Sequence, residues 1–234
     1  MPTAALQVWL RAQALLWLPG IVACGWLGAA GRPGGWTEAW ILAMASSVAT
    51  LAWILRAPRR AADLVTRGRF AGLLWVVGSG AAGVDTVVWL GAVAVVSLDL
   101  VDGAVARRWG GSPEGAILDM ETDQLTVLGL SSLIVGGGGG VHVLALPALR
   151  YVFVLAMWCV GAPAHDPKPV NGDNRRGRLV CALVMVALLA ALWPASGPGL
   201  RDAVTAFAVL LLGWSFSGDA RFLIAHRRAA GVRG

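Results

Sequence analysis

Apolar stretches of bilayer length recur along most of this chain, and they restrict what it can fold into. A helix needs about 20 predominantly apolar residues to cross the hydrocarbon core of a membrane. Eight stretches approach that length, at about residues 12–30, 38–56, 69–84, 86–106, 115–137, 141–163, 178–194 and 202–222. The third is short, and Gly78, Gly80 and Gly83 blur its end. Composition points the same way: 57% of the 234 residues are hydrophobic and 14% are charged. A soluble domain is about a quarter charged, so this chain lacks the polar residues to coat a globule in water. In lipid every backbone polar group must be satisfied internally, which a helix does within one segment. The expected fold class is therefore all-α, a polytopic transmembrane helix bundle of about eight spans.

The basic residues are distributed unevenly about these stretches. Arg56, Arg59, Arg60, Arg67 and Arg69 lie between the second and third, and Arg107 and Arg108 follow the fourth. Lys168, Arg175, Arg176 and Arg178 lie between the sixth and seventh, and Arg221, Arg227, Arg228 and Arg233 close the chain. With Arg11, sixteen of the nineteen Lys and Arg fall on one side. Arg32 and Arg201 fall on the other, and Arg150 falls inside a span. Positive loops favour the cytoplasm, so both termini are expected there, a parity that eight spans satisfy and seven would not. The net charge of +6 is then accounted for by topology and anionic lipid headgroups rather than by nucleic acid. Twelve Trp and one Tyr suit interfacial aromatics.

Cys24, Cys159 and Cys181 lie in apolar segments without metal-knuckle spacing, and read as small apolar residues. Ile21-Val22-Ala23-Cys24 resembles a lipoprotein cleavage box, but only Arg11 precedes it as a basic residue and further spans follow. Residues 57–70 mix basic side chains with Leu64, Val65 and Phe70, the pattern of a helix lying along a membrane surface. Residues 162–178, with Pro163, Pro167, Pro169, Gly172 and Gly177, read as a loop. The run Gly136–Gly140 reads as a flexible turn on the opposite side.

The chemistry is concentrated between Ser97 and Leu125. Residues three and four apart share a helix face, so Asp99, Asp102, Gly103, Ala106 and Arg107 make one stripe at the end of the fourth span. Gly115, Asp119 and Asp123 make another at the start of the fifth. The short connection Arg108–Glu114 folds one helix back beside the other, so four carboxylates face each other near the cytoplasmic boundary. An Asp at the centre of a spanning helix costs about 2.5–3.5 kcal/mol on an insertion scale, and neighbouring carboxylates also repel. Divalent cations relieve both. Oxygen ligands without Cys or His point to Mg²⁺, Mn²⁺ or Ca²⁺ rather than zinc, and two such ions can clamp a phosphoryl group during in-line displacement. Gly103 and Ala106 leave room for a phosphate or a planar group, and Arg107 offers a fork that pairs with phosphate. Glu121 points away from Asp119 and Asp123 and is left out of the set.

This stretch resembles the signature of the CDP-alcohol phosphatidyltransferase family, D-x2-D-G-x2-A-R followed by G-x3-D-x3-D. All eight fixed positions match, at Asp99, Asp102, Gly103, Ala106, Arg107, Gly115, Asp119 and Asp123. The spacer Arg108–Glu114 has seven residues, one fewer than the eight common in the family. Thr66 and Arg69 fit the T-x2-R of the surface helix that often opens the family core. The resemblance implies a six-helix core with a surface helix over 58–225, an added two-helix hairpin over 1–57 and a basic cytoplasmic tail over 226–234. It further implies that Asp99, Asp102, Asp119 and Asp123 bind one or two Mg²⁺ or Mn²⁺ ions. Asp99, Asp102, Gly103, Ala106, Arg107 and Gly115, with Thr66 and Arg69, would hold the cytidine diphosphate, and Asp123 would act as base. The implied reaction moves a phosphatidyl or phospho-alcohol group from CDP-diacylglycerol, or another CDP-alcohol, to a small polar alcohol with release of CMP.

An Arg inside a span is rare and usually functional. Arg150, with Lys168, Arg175, Arg176 and Arg178, is a candidate for binding an anionic acceptor; the alternative is that Arg150 pairs with a motif aspartate. His165 reads as solvated, and His142 lies on the side away from the aspartates. A cation transporter or channel is the second class of reading, since acids inside spans often mark ion paths. Against it, the acids gather at one end and the motif has no internal repeat. A scaffold without activity sits poorly with a full set of aspartates. A homodimer and a bacterial inner membrane complete the expectations.

Overall fold

The structure is a computed structural model that describes residues 4–29, 37–55, 61–109, 113–159 and 175–231. These form α1 (Ala4–Ala29), α2 (Thr37–Leu55), α3 (Ala61–Gly80), α4 (Thr86–Trp109), α5 (Pro113–Gly136), α6 (Ala145–Cys159), α7 (Arg175–Leu192) and α8 (Pro198–Gly231), with one 3-10 turn at Val141–Leu144. No strand occurs among the described residues. Ala4–Ala29 and Pro198–Ser217 are long and apolar enough to cross a membrane by length and composition. Ala39–Ile54, Thr86–Asp99, Val141–Ala156 and Gly177–Leu192 are shorter apolar helical stretches. Val8, Trp26, Leu42, Trp53, Phe207 and Leu210 point outward, an apolar exterior that suits lipid better than water.

α5 is the central helix and packs against α1, α2, α3, α6 and α7. Its residues from Leu125 to Val135 are buried on every side. The polar ones among them remain tolerable because Thr126 Oγ1 donates to the Thr122 carbonyl and Ser132 Oγ to that of Gly129. Small residues let the neighbours close in. A methyl group added at Gly129 would lie 2.8 Å from Val77 of α3, and one at Gly80 would lie 2.9 Å from Leu133 of α5. α3 presents Thr66, Arg69, Phe70, Leu73, Val76, Val77 and Gly80 to the interior, a single stripe at helical spacing. α4 presents Val88, Ala92 and Val95 in the same way, and the next turn of that stripe carries Asp99.

α1 and α2 join the bundle through a small polar knot. Gln13 Oε1 accepts from Trp17 Nε1 and from Ser47 Oγ, both at 2.8 Å. The rings of Trp17 and Trp40 pack nearly perpendicular to each other with their centres 5.2 Å apart. α1 also packs along α6, where the Arg11 guanidinium lies 5.1 Å from the Trp158 ring centre, within cation–π range.

The helix boundaries and one turn add detail to the sequence expectations. The surface helix expected over 57–70 and the span expected over 69–84 are one continuous helix through their described part, Ala61–Gly80. No proline interrupts that stretch, and its one early glycine, Gly68, faces open space. The span expected over 141–163 begins with the 3-10 turn before α6 starts at Ala145. The last helix runs on to Gly231, through the beginning of the expected tail. The Gly136–Gly140 turn is tied down: Gly138 has φ +81°, Arg201 Nη1 donates to the Gly137 carbonyl at 2.7 Å, and Asp202 accepts from Gly140 N at 3.0 Å. The opposite, motif-bearing end of the bundle includes the start of α5.

Candidate active site

Among the described side chains, three motif aspartates meet. Asp99 of α4 and Asp119 and Asp123 of α5 each place a carboxylate oxygen within 4.8 Å of the others. The i, i+4 spacing puts Asp119 and Asp123 one turn apart on the same face, and the packing of α3 against both α4 and α5 closes the group. All three carboxylates are partly exposed.

Arg69 enters the group from α3, with its side chain only 1% exposed. Nη1 donates to Asp99 Oδ1 at 2.7 Å. Nη2 donates to Asp123 Oδ1 at 2.5 Å and to the Asp119 backbone carbonyl at 3.4 Å, and it lies 3.1 Å from Asp119 Oδ1. One planar guanidinium thus spans all three acids, which the branched geometry of arginine permits and a lysine ammonium would not. Between Arg69 and these carboxylates the formal balance is two negative charges. That is the charge of one divalent ion, and an ionised carboxylate has lone pairs for more than one partner. Three hard oxygen donors so placed fit Mg²⁺ or Mn²⁺ and lack the nitrogen or sulfur that zinc favours.

The other expected residues are placed less completely. Asp102, Gly103, Ala106 and Arg107 lie in α4 on the turns after Asp99, with side chains outside the described residues. Gly115 lies in the first turn of α5, and Thr66 is buried in α3 one turn before Arg69. Arg178 is exposed near the start of α7, a helix that packs against α4 and α5. Arg175 and Arg176 open α7 with side chains outside the described residues; Lys168 and His165 lie outside them altogether.

Residues 59–216, more than half of the chain, match the CDP-alcohol phosphatidyltransferase family. The chain belongs to that family. CDP-alcohol phosphatidyltransferases move phosphatidyl groups from CDP-alcohols to alcohol acceptors, and as a family they depend on divalent metal. The family is membrane-associated, in keeping with the apolar helices. No individual curated protein and no solved structure matches the chain. The matched residues begin just before α3, so α1 and α2 fall outside them.

The helix-face argument leaves out Glu121, and the structure gives it a partner. Among the described residues, Arg150 of α6 pairs with Glu121 rather than with Asp99, Asp119 or Asp123. Its Nη2 donates to Glu121 Oε1 at 2.8 Å, with the two side chains 12% and 4% exposed. The signal was present in the sequence: an arginine within an apolar span requires a partner, and Glu121 is an acid within an adjoining span.

Proposed function

We propose that this CDP-alcohol phosphatidyltransferase is an integral membrane enzyme of phospholipid synthesis. It transfers a phosphatidyl group from CDP-diacylglycerol to the hydroxyl of a small polar alcohol and releases CMP. The observation that carries this reading is the convergence of Asp99, Asp119 and Asp123, on two helices, into one oxygen-donor group. The eight helices are read as eight spans, with the aspartates and both termini cytoplasmic, in a bacterial inner membrane. On this reading the family core runs over 58–225, behind the hairpin of α1 and α2, and a homodimer is the assembly.

Each residue then has a task. Asp99, Asp102, Asp119 and Asp123 hold one or two Mg²⁺ or Mn²⁺ ions. When bound, these ions supply positive charge to the diphosphate and so stabilise the charge that develops on the departing nucleotide. Arg107 pairs with a donor phosphate, while Gly103, Ala106 and Gly115 leave room for the cytidine diphosphate, which Thr66 of α3 helps to hold. Arg69 holds the aspartates toward one another against their mutual repulsion. Asp123 takes the proton from the acceptor hydroxyl. The acceptor oxygen forms a bond to the phosphatidyl phosphorus as that phosphorus loses its bond to the CMP oxygen, which departs with the electron pair. Lys168, Arg175, Arg176 and Arg178 supply positive charge for an anionic acceptor. Arg150 donates to Glu121 and is not assigned to the acceptor.

The transport reading has less behind it. Among the described residues Asp99, Asp119 and Asp123 gather in one group, bridged by Arg69, rather than being spaced along a path. The deciding experiment gives purified protein CDP-diacylglycerol, Mg²⁺ or Mn²⁺, and acceptors singly. Acceptor-dependent CMP release that a chelator stops is the expected result. Release with CDP-choline and a lipid acceptor alone would invert donor and acceptor. Folded protein that releases no CMP with either donor class would sink the transferase reading.

A further inference from the structure

Glu121 lies between two site aspartates in sequence but not on their face. At 3.6 residues per turn, two positions rotate a side chain by about 200°. Its carboxylate therefore leaves α5 on the side away from Asp119 and Asp123, where Arg150 of α6 meets it. The transfer chemistry uses neither group. As a source of stability, a buried ion pair often does no better than two apolar side chains of similar size. What it can add is specificity of arrangement.

We propose that the Glu121–Arg150 pair is a positioning device that fixes the rotation of α5 about its own axis, and so aims Asp119 and Asp123 at Asp99. This rests on the reading of those aspartates as metal ligands. Thr122, Thr126 and Ser132 donate their hydroxyl protons to carbonyls of α5 itself, so these three bonds leave its rotation unset. Arg69 grips α5 from the front through the aspartates, the groups a bound metal also engages. Arg150 grips it from the back through a carboxylate that the metal does not touch. The back grip is referred to a braced helix, because α1 packs along α6 and Arg11 stacks on Trp158.

The test uses full-length protein in detergent and reads Mn²⁺ binding without nucleotide, by the electron paramagnetic resonance signal of free Mn²⁺. Kinetics follow separately. The double variant Glu121→Met/Arg150→Met removes both charges and leaves none stranded. It is expected to fold, yet to lose about 10–100-fold in Mn²⁺ affinity, the usual penalty for losing a group that orients metal ligands. Glu121→Gln, nearly isosteric, is expected to show a smaller loss of the same kind. The exchange Glu121→Arg/Arg150→Glu is expected to recover affinity relative to either single charge change. A folded double variant, or folded Glu121→Gln, with unchanged Mn²⁺ affinity would overturn the proposal. So would a rise confined to the acceptor's KM, which would return Arg150 to acceptor binding. Wild-type protein that binds Mn²⁺ but releases no CMP would sink the transferase reading alone, and the Mn²⁺ comparison would still decide the role of the pair.

Discussion

Arg69 Nη1 lies 2.7 Å from Asp99 Oδ1, and the same guanidinium reaches Asp119 and Asp123 through its other nitrogen. A buried arginine is thus the resident counter-charge of the acidic group. Breaking a fully buried ion pair costs about 3–5 kcal/mol; here the carboxylates keep some solvent, so about 2–3 kcal/mol is expected. Arg69→Met should lower the thermal stability of metal-free protein by that amount. Mn²⁺ should stabilise the variant more than the wild type, because it then supplies charge that Arg69 no longer does. Thermal unfolding in chelator and in excess Mn²⁺ checks both. An unchanged midpoint in chelator would remove Arg69 from this role.

The donor set makes a second prediction. Carboxylate oxygens without nitrogen or sulfur favour hard cations. CMP release should stop in EDTA and return with Mg²⁺ or Mn²⁺ added in excess. Activity that survives exhaustive chelation would contradict the metal reading of Asp99, Asp119 and Asp123.

The sequence made the helical class and the acidic group legible for local reasons. Bilayer-length apolar runs need no tertiary information, and i, i+4 spacing places Asp119 and Asp123 on one face before any partner is known. Arg69 was harder to place: it matched a motif but also belonged to a run of arginines that sets topology, and only the packing of α3 on α4 and α5 turns it inward. Glu121 faces away from the aspartates, and that same property puts it against α6. Near residue 69 the charge changes while helix-forming tendency does not, so one helix, Ala61–Gly80, runs through the expected junction. Local polarity signals a membrane boundary, but it does not end a helix that has no proline or capping glycine.

Asp123 is assigned two tasks, metal ligand and base. Asn keeps its shape and removes its charge and its capacity to take a proton. Asp123→Asn should lower kcat by at least about 10²-fold, the lower range for losing a general base, while the protein still inserts and runs as a monodisperse peak. Retained turnover in a CMP-release assay would exclude Asp123 as the base.

The close approach of α3 to α5 at Gly129 carries Arg69 to the aspartates one end away. A Cβ at that position would be 2.8 Å from Val77 Cγ2 and 3.3 Å from Leu73 Cδ1. Alanine gains about 1 kcal/mol over glycine in helix propensity, whereas overpacking a dense core costs about 1–3 kcal/mol. Gly129→Leu, whose branched side chain has no room, should therefore destabilise the protein in thermal unfolding. Gly129→Ala should change stability by less. Equal midpoints for Gly129→Leu and wild type would mean that α3 and α5 separate there without penalty.

Arg178 tests the acceptor side. It is exposed near the start of α7, on a helix that touches both α4 and α5, so its charge is available near the end of the bundle that carries the aspartates. A hydrogen bond to a charged group contributes about 1.5–3 kcal/mol, and each 1.4 kcal/mol is about tenfold in affinity. If an anionic acceptor is bound there, Arg178→Ala should raise its KM about 10-fold or more and leave the KM of the CDP-linked donor near wild type. Arg178→Lys should recover part of the loss, since it keeps the charge and gives up the fork. The competing outcome is equally readable in steady-state kinetics. A neutral acceptor, or a residue that serves only to orient the chain in the membrane, would leave both KM values unchanged, and an equal rise in both would place Arg178 at the shared phosphate rather than at the acceptor.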